Sequence, residues 1–113
     1  MIPFYDNVDI EPDENGWVDV DRIYCFQWDE FAPQDFGKLR AAFDSLPQSV
    51  THDNHNCHWW YSDREDLDAG YLSSGIEPSG LQVIGSLSFG DWRKWDSEFQ
   101  QHAADLPVRE KSR

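Results

Sequence analysis

What the chain has least of is positive charge. Nine Lys and Arg stand against 22 Asp and Glu over 113 residues, a formal net charge of −13. A field of that sign repels phosphate backbones and anionic lipid headgroups, which disfavours nucleic acid and membrane as direct partners and steers basic proteins toward the chain. There are two cysteines, Cys25 and Cys57. They allow one bridge at most, too few for a disulfide framework, and their spacing dictates no pairing. No run approaches the roughly 18 apolar residues of a membrane span, and Met1-Ile-Pro-Phe-Tyr-Asp6 carries no apolar signal segment, so the expected location is a reducing cytoplasm. Internal repeats and Gly/Ser linkers are missing, so residues 1–113 read as a single domain, with 1–15 an acidic N-terminal segment and 108–113 a flexible tail. Gly80, Gly85 and Gly90 lack the spacing of a phosphate-cradling loop.

What is abundant is acid and aromatic surface. Six Trp, seven Phe and four Tyr supply a core without heavy use of aliphatics, since each aromatic side chain buries roughly 150–250 Å². A chain of this length buries about two-thirds of its unfolded surface, enough for one core. The acids are uneven: residues 1–35 hold ten of them and one base, Arg22, a local net of −9.

The hydrophobic pattern predicts an α+β fold, an antiparallel sheet of about four strands with two helices packed on one face, in the order β-α-β-β-β-α. In Trp17 to Trp28 the even positions Val18, Val20, Tyr24, Phe26 and Trp28 share a strand face, while Trp17, Asp19 and Asp21 fall opposite. Arg22 interrupts the apolar face, which suggests a bulge or two abutting strands. Phe36, Leu39, Phe43 and Leu46 recur at helical spacing between Pro33 and Pro47, a residue that suits a first turn and one that stops continuation. A second strand is expected from Cys57 to Tyr61. Tyr71–Ile76 and Leu81–Phe89 flank Glu77-Pro-Ser-Gly80, the clearest hairpin signal in the chain. The last stripe, Trp92, Trp95, Phe99, Ala103 and Leu106, predicts a helix from Asp91, with Asp91 as its cap and Pro107 as its stop.

The segment Thr51-His-Asp-Asn-His-Asn-Cys-His-Trp-Trp-Tyr-Ser62 concentrates three of the four histidines beside a cysteine. A structural zinc site uses four Cys or His ligands in two short-spaced pairs, and no second pair follows; a catalytic site needs only three ligands, which His52, His55 and His58 with Asp53 would supply. If the segment is extended, His52 and His58 share a face with His55 and Cys57 opposite; if Asp53–Asn56 is a polar turn, only the flanking histidines stay close. The polar turn is the reading preferred. Cys57 and His58 adjoin, yet successive strand residues face apart, so a thiol–imidazole pair would need another histidine. Two successive indoles, Trp59 and Trp60, cannot enter one strand face together, so at least one is expected to be partly exposed.

The run Gly80-Leu-Gln-Val-Ile-Gly-Ser-Leu-Ser-Phe-Gly-Asp-Trp-Arg-Lys-Trp-Asp-Ser-Glu-Phe99, a strand passing directly into a Trp-rich terminal helix, resembles the small α+β immunity proteins of bacterial polymorphic-toxin systems, as do the size, acidity and element order. The resemblance implies a cytoplasmic inhibitor, not an enzyme and without cofactor, that binds and neutralises a cognate toxin domain, frequently a basic nuclease. The partner-binding residues expected from charge and exposure are Asp9, Glu11, Asp13, Glu14, Asp19 and Asp21, the loop acids Asp63, Glu65, Asp66 and Asp68, and Trp59 as an aromatic anchor. Two alternatives use the same chain: a small metal-dependent enzyme centred on His52, His55 and His58, and a nucleic-acid mimic that inhibits a defence nuclease, which needs regularly spaced carboxylates over a long surface.

Overall fold

A computed structural model describes residues 1–50 and 57–110. Among these the chain forms β1 (Phe4–Asp6), β2 (Trp17–Tyr24), α1 (Pro33–Ser45), β3 (Ser49–Val50), β4 (Cys57–Trp60), β5 (Tyr71–Glu77), β6 (Gly80–Ser88) and α2 (Phe89–His102), with a 3-10 turn at Trp28–Glu30. The fold is α+β, and every strand pairing is antiparallel, in the spatial order β1-β2-β6-β5-β4-β3. The sheet therefore has six strands where the pattern predicts about four. The two extra ones are β1 and β3, three and two residues long, too short to show a period of two. No helix among the described residues is long and apolar enough to cross a membrane.

One face of the sheet is covered by both helices. Val18, Val20, Leu72, Leu81, Val83, Leu87 and Trp60 point into that face, and Leu39, Trp92, Trp95, Phe99, Ala103 and Leu106 meet them in a single core. The expected stripe of α2 is thus buried throughout. The helix begins earlier than expected, at Phe89, because Ser88 is the cap: its Oγ accepts from Asp91 N at 3.2 Å, leaving Asp91 in the first turn where its charge suits the helix dipole. In α1, Leu39 and Ala42 are buried, whereas Phe36 is displaced from the core to stack on Trp28, with 6.2 Å between ring centroids, and stays partly exposed. Trp60 Nε1 donates to Phe43 O at 3.0 Å, which satisfies one of the orphan carbonyls near the end of α1 and ties β4 to it.

The β5–β6 hairpin closes over Pro78 and Ser79, with Glu77 opposite Gly80. Gly80 has φ +146°, and a Cβ there would lie 2.1 Å from Tyr24 O. Gly85 faces the core in register with Val20 and Leu72, where a Cβ would meet Tyr71 O at 2.1 Å. Both positions need a residue without a side chain to keep the neighbouring strand at hydrogen-bonding distance.

Arg22 is not a break. The β2–β6 register runs unbroken through Arg22↔Val83, so there is no bulge, and the strand ends at Tyr24 rather than Trp28. The guanidinium stays on the covered face because everything around it is matched to a cation. Nε and Nη2 donate to the two oxygens of Asp6 at 2.7 and 3.1 Å, and Nη1 donates to Asp96 Oδ1 at 3.1 Å. The Phe4 and Trp92 rings lie 3.7 and 4.9 Å from it. Burial works against the charge, but the Asp6 hydrogen bond and the surrounding anions hold the guanidinium above its ordinary pKa. Tyr24 Oη donates to the same Asp96 oxygen at 2.6 Å; burial first, then the Asp96 charge, raises its phenol well above the usual range. This cluster pins β1 to β2 and α2.

Candidate functional site

The sheet alternates, so whatever the helices do not cover is presented on the other side. Register assigns that open face row by row. Asp19, Ser86 and Tyr71 form one row; Asp21, Ile84, Ser73, Trp59 and Val50 form the next; Tyr5, Ile23, Gln82, Gly75 and Cys57 form a third; Trp17 and Ser88 lie before them. Ser86 and Ser73 put short side chains, and Gly75 none, in the middle of this face, and the Trp17 indole reaches over Ser86. Ser73 and Ser86 are buried on the face opposite the helix-packed core. Trp17 Nε1 donates to Ser86 Oγ at 2.6 Å, and the Trp59 and Tyr71 rings stand 5.9 Å apart, tilted by 37°. Ile84, between Asp21 and Ser73 in its row, is 36% exposed.

Acids rim this surface. Asp19 is exposed in the Tyr71 row, and the Tyr71 phenol is raised by partial burial and then by the charges of Glu65 and Asp19. Asp21 accepts from Asn7 Nδ2 at 3.0 Å and from Gln82 Nε2 at 2.9 Å, a contact that lays the N-terminal segment along the edge of the face. Register thus puts Asp19, Asp21 and Trp59 on the same face of the sheet, with Glu65 exposed in the loop before β5.

The other expected partner-binding residues are distributed differently. Asp13 is engaged in local structure: its Oδ1 accepts from Asn15 N at 2.8 Å and Trp17 N at 2.9 Å, a turn that delivers Trp17 to the start of β2. Asp66 does the same in its loop, accepting from Asp68 N and Ala69 N at 3.0 Å each, and those backbone hydrogen bonds hold its carboxyl below the usual range. Asp9, Glu11, Glu14, Asp63 and Asp68 are exposed.

Trp59 and Trp60 part as expected of neighbours in a strand, with Trp60 fully buried and Trp59 on the open face. Cys57 shares the open face, where burial raises its thiol pKa against the opposing pull of hydrogen bonds from Ser74 and Trp59. His58 turns to the helix side. Its Nε2 lies 2.7 Å from Ser49 Oγ, and its ring packs 5.5 Å from Phe43 and 4.7 Å from Trp60. His52, His55, Asp53 and the turn expected at Asp53–Asn56 lie outside the described residues. Among the described residues no three His, Cys, Asp or Glu side chains gather as a metal site requires.

Comparison with protein-family models, curated proteins and solved structures finds no match. The residues that sequence reasoning passed over are Tyr71 and Ile84. Ile84 carries a readable signal: in Gln82-Val-Ile-Gly-Ser86 it is the one apolar residue on the polar phase of the strand. Tyr71 carries none, because its proximity to Asp19 and Glu65 depends on β6 lying between β2 and β5.

Proposed function

We infer that the chain is an inhibitor of the immunity type, which binds a basic toxin domain through the open face of its sheet and occludes the toxin's active groove. The observation that carries this reading is the face itself: Trp17, Trp59, Tyr71 and Ile84 half-exposed on the side without helices, rimmed by Asp19, Asp21 and Glu65. Protein interfaces concentrate Trp and Tyr at their centre and place charge at the rim, where it accelerates encounter and rejects partners of like sign. The net charge of −13 suits a cationic partner. A nuclease fits that description, since the groove it uses to hold a phosphate backbone must be basic.

The test is protection. Wild-type protein and a Trp59→Ala/Tyr71→Ala variant serve as bait in the native organism, and bound proteins are identified by mass spectrometry. A basic protein that is toxic when expressed alone, is retained by wild type and lost by the variant, and is rendered harmless by co-expression of this chain is the expected result. Capture of toxic proteins without any relief of toxicity on co-expression would remove the inhibitor reading.

A further inference from the structure

We propose that the open face accepts an arginine side chain of the partner, its guanidinium laid against the Tyr71 ring next to Trp59 and held by the carboxylates of Asp19 and Glu65. The proposal rests on the reading above that the partner is a basic protein, and it names the contact that partner makes.

Two observations carry it. The first is placement. Asp19 and Tyr71 lie in one row of the sheet with only Ser86 between them, and the Trp17 indole, donating to Ser86 Oγ at 2.6 Å, adds a second aromatic surface to that row. Glu65 is exposed in the short loop that leads into β5, six residues before Tyr71, and its charge acts with that of Asp19 to raise the Tyr71 phenol. An aromatic surface with two exposed carboxylates beside it is thus assembled from three separate segments of the chain.

The second is that the protein already solves this chemical problem once, on its other face. The Arg22 guanidinium rests 3.7 Å from the Phe4 ring and 4.9 Å from the Trp92 ring while Asp6 and Asp96 accept along its edge. Rings beneath, carboxylates at the side: the open face offers the same components with a charge that this chain leaves in excess of acid. Arginine suits such a place better than lysine. Its planar, weakly hydrated cation stacks on a ring and donates from its edge to carboxylates at the same time, whereas an ammonium gives up a tighter hydration shell for a single point contact.

The experiment titrates the intact protein with hexa-arginine and hexa-lysine peptides of equal charge at low ionic strength, with affinity read by calorimetry and location by amide and indole chemical shifts. The expected result is roughly fivefold to tenfold tighter binding of the arginine peptide, with the largest shifts at Trp17, Tyr71 and Ile84. Tyr71→Phe keeps the preference, Tyr71→Ala abolishes it, and Glu65→Gln weakens the arginine peptide. Equal affinity for the two peptides, or shifts centred on residues 9–14, would overturn the proposal; both are read on the wild-type protein, so a poorly folded Tyr71→Ala variant does not blunt the test. Since the peptides replace the partner, the outcome is separable from the protection assay. Protection without arginine preference removes this contact and leaves the inhibitor reading standing, and arginine preference without protection does the reverse.

Discussion

The two faces of one sheet put the same kinds of residue to opposite ends. On the covered face Tyr24, Trp60, Trp95 and Phe99 have no accessible surface, and their rings meet edge-on or stacked at 4.8–6.4 Å. On the open face Trp17, Trp59 and Tyr71 keep part of their surface in solvent. Charge follows the same division. Arg22 is buried, and its two carboxylate partners are anchored to it at the margin of the core, while Asp19 and Glu65 stand exposed. The lesson is that residue type says little here about purpose, and that which side of a strand it occupies says nearly everything. Trp59 and Trp60, adjacent in sequence, fall on either side of that line.

The sharpest way to break this comparison is to truncate the two indoles in turn. Trp60→Ala should cost about 3–5 kcal/mol by urea denaturation, through lost burial plus the cavity and the hydrogen bond to Phe43 O. Trp59→Ala should cost about 1 kcal/mol or less. Equal losses would show that the open face is as much core as its opposite. The charged groups offer a second contrast. Asp96→Ala removes an acceptor from Arg22 and Tyr24 together and should destabilise by about 2–3 kcal/mol, discounted because that carboxylate keeps some solvent contact. Asp21→Ala, with its partners at the edge of the open face, should change stability by about 0.5–1 kcal/mol in the same assay.

Encounter kinetics sharpen the comparison from the partner's side. Charge reversal at Asp9, Glu11, Asp13 and Glu14 together should slow association with the proposed basic partner by roughly ten- to thirtyfold at low salt, an effect that shrinks as salt is added. An unchanged on-rate would confine recognition to the sheet face and exclude the N-terminal segment. The smallest effect is alkaline. Burial first, then Asp91 and Glu98, pushes the Tyr61 phenol up to about 12, against about 10 in an unfolded chain. Its contribution to stability is complete below about pH 10 and is lost as pH rises from there to about 12, because only the unfolded state releases the proton in that window. Tyr24, raised further by burial and Asp96, should not ionise before the fold opens. Ultraviolet titration of tyrosinate alongside circular dichroism checks the order, and ionisation of all four tyrosines ahead of unfolding would contradict it.

Much of the covered face is legible in the sequence because it obeys local periods. The Trp92 to Leu106 stripe and the Glu77–Gly80 turn need no information beyond their own windows. Arg22 is misread for the converse reason: alternation treats a charge on an apolar phase as a fault, while its partner Asp96 lies 74 residues away in sequence. Phe4-Tyr5-Asp6 goes unseen because three residues in an acidic segment carry no period, though Asp6 is there to meet Arg22. The open face is half legible. Alternation puts Trp17, Asp19 and Asp21 on one side of β2, but their assembly with Tyr71, Trp59 and Glu65 follows from strand order and register, which are properties of the whole sheet.

Among the described residues the sheet ends in three residues on one margin and two on the other. Strands that brief give a foreign strand little of their own length to extend. If the open face is the interface proposed above, a partner reads side chains and not peptide groups, and its discrimination among related partners rests on the chemical identity of a handful of residues, each replaceable by a single codon change.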